Sequence, residues 1–306
     1  MALVVICAVF AVVAPTFASW RNAQAIVEQA SIPLVIAMGT TLVVLIGSID
    51  LSVEGVIAAS GLTFVLLARN THNGNDLGLW AVVAGVGVGA LFGLVNGAIN
   101  AVAKVPSFMV TLGTWFVGLG VATVLFGDVA PQLRDPSLRA WGGGEWLGIP
   151  VVTCFAIVAL VVTVVICRST RLGRAAYAIG GDEAISRMSG LPVRRYRIIL
   201  FTLAGVFSGV AGVLATIRLG VGNVSVGSGS LFLSLSAVVV GGTTLSGGRG
   251  GPLQSLVGVL LLVVLGNGLL LSGAGPYVQQ AAQGIIIVVA VVLTGWPLRH
   301  RLRVVK

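Results

Sequence analysis

Eight runs of this 306-residue chain contain no Asp, Glu, Lys or Arg: 1–20, 29–49, 77–103, 105–127, 146–167, 198–217, 219–248 and 250–298. This feature decides the solvent. A membrane-crossing helix needs about 20 mostly apolar residues, because each adds about 1.5 Å to a path of about 30 Å. Several runs fit one such helix, and the last fits two. Charged residues make up 9% of the chain, against about a quarter in soluble proteins. Too few remain to cover a water-facing surface. Membrane strands would alternate over about ten residues, whereas these runs are continuously apolar. The expectation is an all-α, polytopic transmembrane helical bundle of about ten spans, with broken or re-entrant segments.

The spans are expected at 1–20, 29–48, 51–68, 79–102, 105–126, 149–167, 198–217, 231–247, 253–271 and 279–296. Residues 1–20 read as a retained first span and not a cleaved leader, because they lack a basic n-region and Lys or Arg first appears at Arg21. The tight connection GSIDLS between the second and third spans shortens one or both. The strings GVGNVSVGSGS and GGTTLSGGRGG, at 220–230 and 241–251, favour loops and broken helix. Such backbone is tolerated at membrane depth only where protein or a wet cavity covers it.

The net charge of +9 does not point to nucleic acid, because the basic residues stand beside the spans. With both termini cytoplasmic, that side receives Lys104, seven arginines in 168–197, Arg249, Arg299, Arg301, Arg303 and Lys306. The other side receives Arg21, Arg69, Arg134, Arg139 and Arg218. This is the positive-inside pattern. Trp141 and Trp146, in the external loop 127–148, are placed near lipid headgroups.

The basic segment 168–197 carries one local signal. Asp182 can cap a short helix starting at Glu183, Gly190 can stop it, and Pro192 prevents its continuation. A helix this short is not stable alone. It either lies in a basic loop that anchors headgroups or docks to a cytoplasmic subunit. In the fourth span Gly85, Gly89, Gly93 and Gly97 recur every four residues and make a smooth stripe for a neighbouring helix. Asn96 and Asn100 continue near that face, as packing hydrogen bonds or as cavity lining. Gly205, Gly209 and Gly212 form a weaker stripe.

Enzyme chemistry lacks its parts. His72 and His300 are the only histidines, and Cys7, Cys154 and Cys167 have no metal or disulfide spacing. GGTTLSGGRGG lacks the Gly-Lys-Ser/Thr ending of a phosphate loop, and Lys104 and Lys306 are the only lysines. The chain is therefore not expected to hydrolyse ATP itself or to hold a metal. Asp50 and Glu54 are the two carboxylates placed among apolar residues. Asp50 and Ser52 can satisfy free N–H groups at the start of the third span, and Glu54 falls near its positive end. Proton relay is the alternative. Asn267 and Gln283 are further candidates for polar contacts inside the bundle.

Five strings then coincide with one family. LVVLIGSIDLSVEGVIAASG (42–61), GLVNGAINAVAKVPSFMVTLGTWFVGLG (93–120), TRLGRAAYAIGGDEAISRMSGLPVRRYR (170–197), AVVVGGTTLSGGRGG (237–251) and GNGLLLSG (266–273) occur in the family's order. The chain resembles the permease subunits of bacterial ABC importers of the ribose, galactose, xylose and autoinducer-2 type, with a more distant likeness to branched-chain amino acid permeases.

The resemblance implies one permease domain over 1–306, in the bacterial inner membrane, with the coupling loop at 168–197. It implies a second permease chain, identical or paralogous, and an extracytoplasmic solute-binding protein. A cytoplasmic ABC ATPase would bind ATP and Mg. Lipid surrounds the assembly. The solute is a sugar or, alternatively, a branched-chain amino acid or other small molecule. Asp182, Glu183, Arg187, Met188, Ser189 and Gly190 then match the ATPase-coupling helix. Asp50, Ser52, Gly241 and Gly242 belong to the structural signatures. Pathway candidates are Asn96, Asn100, Phe108, Thr111, Trp115 and Asn267, polar or aromatic groups within apolar spans. The chain departs from the pattern twice: Glu54 stands where a small residue is usual, and Leu231 and Leu233 replace a Glu-Leu-Asp sequence.

Overall fold

A computed structural model describes residues 2–288 except Leu147, Pro276, Gln280, Gln283, Ile286 and Ile287. The expected tenth span and Gln283 therefore fall largely or wholly outside the described residues, as do the last four basic positions.

The described chain is an all-α, multi-span membrane bundle, with one two-residue hairpin, β1 (Glu145–Trp146) and β2 (Ile149–Pro150). Six of its helices are long and apolar enough to cross a membrane. They are α2 (Trp20–Leu45), α4 (Leu79–Ala98, continued by a π-helical turn Ile99–Ala103), α5 (Ser107–Phe126), α7 (Val151–Ser169), α10 (Val193–Leu219) and α12 (Pro252–Leu271). Three more expected spans are short apolar helices: α1 (Ala2–Val13), α3 (Val53–Leu67) and α11 (Ser230–Val240). Three short helices lie between spans: α6 (Pro136–Gly143), α8 (Arg171–Gly181) and α9 (Glu183–Met188). Among the described residues six long spans thus stand, not the ten expected of the whole chain. At α3 and α11 the shortfall has a local cause, because non-helical backbone takes over part of the path.

The centre of the bundle is the antiparallel pair α4 and α10. Gly85 lies against Val213, Gly89 against Gly205 and Gly209, Gly93 against Phe201, and Gly97 against Ile198. A Cβ at Gly89 or Gly93 would overlap main-chain atoms of α10. Gly205 and Gly209 therefore face the α4 stripe, while Gly212 turns to Ile57 of α3, and the backbones approach as only small residues permit. The opposite flank of α4, with Val83 and Leu91, is exposed and suits lipid.

Two ends are distinguishable. At one, bridges Asn70–Leu133 and Gln132–Val221 gather three loops, and Arg218 pairs with Glu28 at 3.0 Å. At the other, the basic end, Leu45, Tyr177 and Gly180 meet the glycine loop 241–251.

Candidate functional site

Residues 46–52 leave the end of α2 and run back through the bundle without helix. Their N–H groups need partners that water cannot supply. The first turns of α5 provide them: Ser107 Oγ accepts from Ile49 N at 3.0 Å, and Thr111 Oγ1 from Leu51 N at 2.9 Å. Asp50 is buried, and its Oδ1 accepts from the Ser52 N–H (2.8 Å) and hydroxyl (2.6 Å). Asn96 Nδ2 donates to Ser52 Oγ at 2.9 Å, and Thr114 Oγ1 donates to Asn96 Oδ1 at 2.7 Å. A Cβ at Gly55 would overlap the Trp115 carbonyl, so α3 and α5 are also in main-chain contact. The result is a satisfied polar seam joining α3, α4 and α5.

This places the sequence candidates. Asp50 satisfies a free N–H, as expected, but Ser52 makes no side-chain cap and gives its hydroxyl to Asp50 instead. Asn96 and Thr111 lie in the seam. Asn100 donates to the Val105 carbonyl at 2.7 Å across the π-helical turn, while its own Oδ1 is buried and unpaired. Trp115 is half-buried, stacked on Phe116, with an unpaired indole N–H. Phe108 is exposed. Sequence reasoning missed Ser107 and Thr114; with Thr111 they place hydroxyls on one side of a helix, a spacing visible in advance.

Asn267 goes elsewhere. It is 5% exposed, its Oδ1 has no partner, and it lines a cavity of about 220 Å³ between α2, α11 and α12 with Gln29, Pro33, Leu233, Leu270 and Gln279. Three carboxamides on otherwise apolar walls can hydrogen-bond a neutral polar molecule without adding charge.

A second non-helical segment leads into the other short apolar helix. Residues 220–229 descend beside α3, with Gly222 against Leu62 and Val65 and Gly227 against Glu54 and Ile57. Then α11 begins. Glu54 Oε1 accepts from Leu231 N at 3.3 Å. The two departures from the family pattern therefore meet in space.

At the basic end, Asp182 Oδ1 accepts from Ile185 N at 3.0 Å and caps α9. Glu183 pairs with Arg187 on its own helix and with Arg197 of α10 at 2.7 Å. Burial raises the Glu183 carboxyl, but the hydrogen bonds and charges of Arg187 and Arg197 outweigh it, so the group sits below its ordinary range. Ser189 Oγ donates to the Ile185 carbonyl, and Gly190 turns the chain at φ 79°. Met188 and Ile185 point outward, 87% and 63% exposed. A cavity of about 430 Å³ adjoins α9, lined by Ala178, Asp182, Ser186 and Leu191 among others. Such a capped, doubly ion-paired helix with apolar tips offers a partner a preformed knob.

The glycine loop ties α8 to the bundle. Tyr177 Oη donates to the Gly250 carbonyl, and Gly248 N to the Leu45 carbonyl, both at 2.9 Å. Gly241 lies on Gln254 main chain, and Gly242 takes φ 105°, which a side chain would strain. Among the described residues no group of three or more His, Cys, Asp or Glu gathers as a metal site.

Comparison with known proteins agrees with this architecture. A family model described as branched-chain amino acid transport system / permease component matches residues 22–291. A probable ABC transporter permease, YphD of Escherichia coli K12, is 37% identical, covering 92% of this chain and 84% of its own. The ribose import permease of Bacillus subtilis is 35% identical (96% and 90% covered), and the L-arabinose permease of E. coli K12 is 32% identical (95% and 86%). The chain belongs to this family of ABC-transporter permease components.

Proposed function

We propose that the chain is the membrane-spanning permease subunit of an ATP-driven importer that brings a sugar into the cytoplasm across a bacterial inner membrane. The observation that carries this reading is near-full-length similarity to permeases for ribose and L-arabinose. The missing phosphate loop supports a transport subunit whose ATP and Mg are bound by a partner ATPase. A solute-binding protein and a second permease chain complete the assembly.

The basic end faces the cytoplasm, where positive charge accumulates. There α9 enters the ATPase as the coupling helix, with Asp182, Glu183 and Arg187 holding its shape and Met188, Ser189 and Gly190 at its tip. Further crossings are completed by α1, by 46–52 with α3, and by 220–229 with α11. The non-helical residues add reach: α3 alone spans about 22 Å at 1.5 Å per residue, short of a bilayer core. Of the pathway candidates, Asn267 is best supported, because its unpaired carbonyl borders an amide-lined cavity.

A labelled panel of ribose, L-arabinose and leucine, offered to the complete complex with matched binding proteins, tests the substrate class. ATP-dependent pentose uptake supports the sugar reading. Leucine uptake alone moves the same machine to the amino-acid branch named by the family model.

A further inference from the structure

α3 and α11 start at the same place in the bundle and run toward opposite ends. Neither is capped by its own N-cap side chain: the Ser52 hydroxyl is given to Asp50, and Gly229 has no side chain to offer. Each helix leaves N–H groups and the positive end of its dipole at this meeting point. Two carboxylates lie near it: Asp50, whose Oδ1 is taken up by Ser52, and Glu54, which reaches α11. Glu54 lies in the first turn of α3, is 9% exposed, and accepts from the Leu231 N–H of α11. Gly227, just before α11, lies against the Glu54 carbonyl, where a Cβ would come within 2.9 Å. Among the described residues no Lys or Arg pairs with Glu54; the ion pairs there are Arg187–Glu183, Arg197–Glu183 and Arg218–Glu28.

The joint links two different groups of helices. α3 packs on α4, α5 and α10, whereas α11 packs mainly on α12 and α2. Alternating access needs such groups to move against each other around a defined contact. A buried carboxylate that accepts an otherwise free helix N–H across the two groups, here at 3.3 Å, is a contact of that kind.

We propose that Glu54 is a positioning residue that caps α11 from α3 and keeps the two half-helices in register during transport. The role rests on the permease reading. It also assigns a reason to both departures: the carboxylate missing at Leu231 is supplied from the opposite helix. The requirement is then one carboxylate for the free N–H groups of α11, from either side.

A charge swap tests this. Glu54→Ala, Leu231→Glu, the double variant and Glu54→Gln are compared in two readouts: thermal unfolding of the purified permease, and ATP-dependent uptake by the complete complex in proteoliposomes. Leaving a buried N–H without its partner corresponds to about tenfold in a conformational equilibrium. Glu54→Ala is expected to unfold earlier and to lose about tenfold in uptake. The double variant is expected to recover both. Leu231→Glu alone places two carboxylates together and lowers uptake. Glu54→Gln keeps an oxygen for the Leu231 N–H, so it folds and isolates the charge; its uptake is expected to fall. Wild-type behaviour of Glu54→Ala in both readouts overturns the proposal, as does a double variant no better than Glu54→Ala. If Glu54→Ala does not fold, wild-type uptake by Glu54→Gln overturns it instead. Absence of uptake by the wild-type complex rejects the importer reading, and the unfolding swap alone then decides on Glu54.

Discussion

Gly89→Ala adds one methyl group to the α4–α10 seam. Its Cβ would overlap the Gly205 carbonyl oxygen and stand 2.8 Å from Gly209 Cα and 2.9 Å from Gly209 N, where ordinary contact begins at 3.4 Å. All three atoms are main chain, so no side chain can rotate away. α4 must retreat by more than about 0.5 Å, and a gap of 0.5–1 Å forfeits roughly a quarter to a half of each neighbouring dispersion contact. The retreat also loosens Gly85, Gly93 and Gly97 along the same stripe. Overpacking of this kind costs about 1–3 kcal/mol, and the upper part of that range is expected because no lipid can fill the seam. The assay is reversible unfolding of the detergent-solubilised chain, followed by tryptophan fluorescence. Gly87→Ala is the internal control. Nothing lies within 4 Å of its added Cβ, so it is expected to be neutral or slightly stabilising. Equal stability of the two variants would refute the claim that the glycine stripe is a contact surface.

Further expectations follow from the other sites. Asn96→Leu leaves the Thr114 hydroxyl only the carbonyls of Val110 and Thr111 on its own helix and removes a donor to Ser52; a loss of about 1–3 kcal/mol is expected in the same unfolding assay. Thr111→Val strips the acceptor from Leu51 N–H and is expected to cost a similar amount, about 1–3 kcal/mol, whereas Thr111→Ser retains it. Asn267→Leu is expected to leave assembly intact and reduce uptake several-fold; unchanged uptake would remove Asn267 from the pathway. At Glu183 the folded-state carboxyl lies below its ordinary value, so its contribution is complete above the unfolded value near pH 4.5. That contribution is lost as pH falls through the lower, folded value. Protection factors in α9, taken relative to the intrinsic exchange rate at each pH, are therefore expected to be unchanged from pH 7 to about 5 and to fall only in stronger acid. Arg197→Ala should remove most of this protection at neutral pH.

The membrane class, the helical content and most span positions were legible because exclusion of charge from lipid is written directly as charge-free runs. The α9 boundaries were equally legible: Asp182, Gly190 and Pro192 are local signals, and the helix obeys them. The glycine stripe correctly announced a close neighbour, but its identity came only from the fold. What the sequence hid was non-local. Nothing in 46–52 says that its N–H groups will be met by Ser107 and Thr111 some 60 residues away, and hydropathy treats extended and helical apolar backbone alike. The short α3 was expected from GSIDLS, whereas α11 ends at Val240, before the expected 247. The candidate pathway residues were chosen for being polar in apolar surroundings, a property shared by groups that hold a break together. Asn96 and Thr111 hold the break, and Asn267 faces a cavity. The Glu54–Leu231 joint was present in the sequence only as two separate departures.

ATP-dependent uptake of labelled ribose and L-arabinose, by proteoliposomes containing this chain, its co-purifying ATPase and a matched binding protein, tests the central claim most directly. The account expects uptake with ATP, none when the ATPase is omitted, and uncoupling when Glu183 and Arg197 are both replaced by Ala. Full-rate transport by the permease alone without ATP would contradict it.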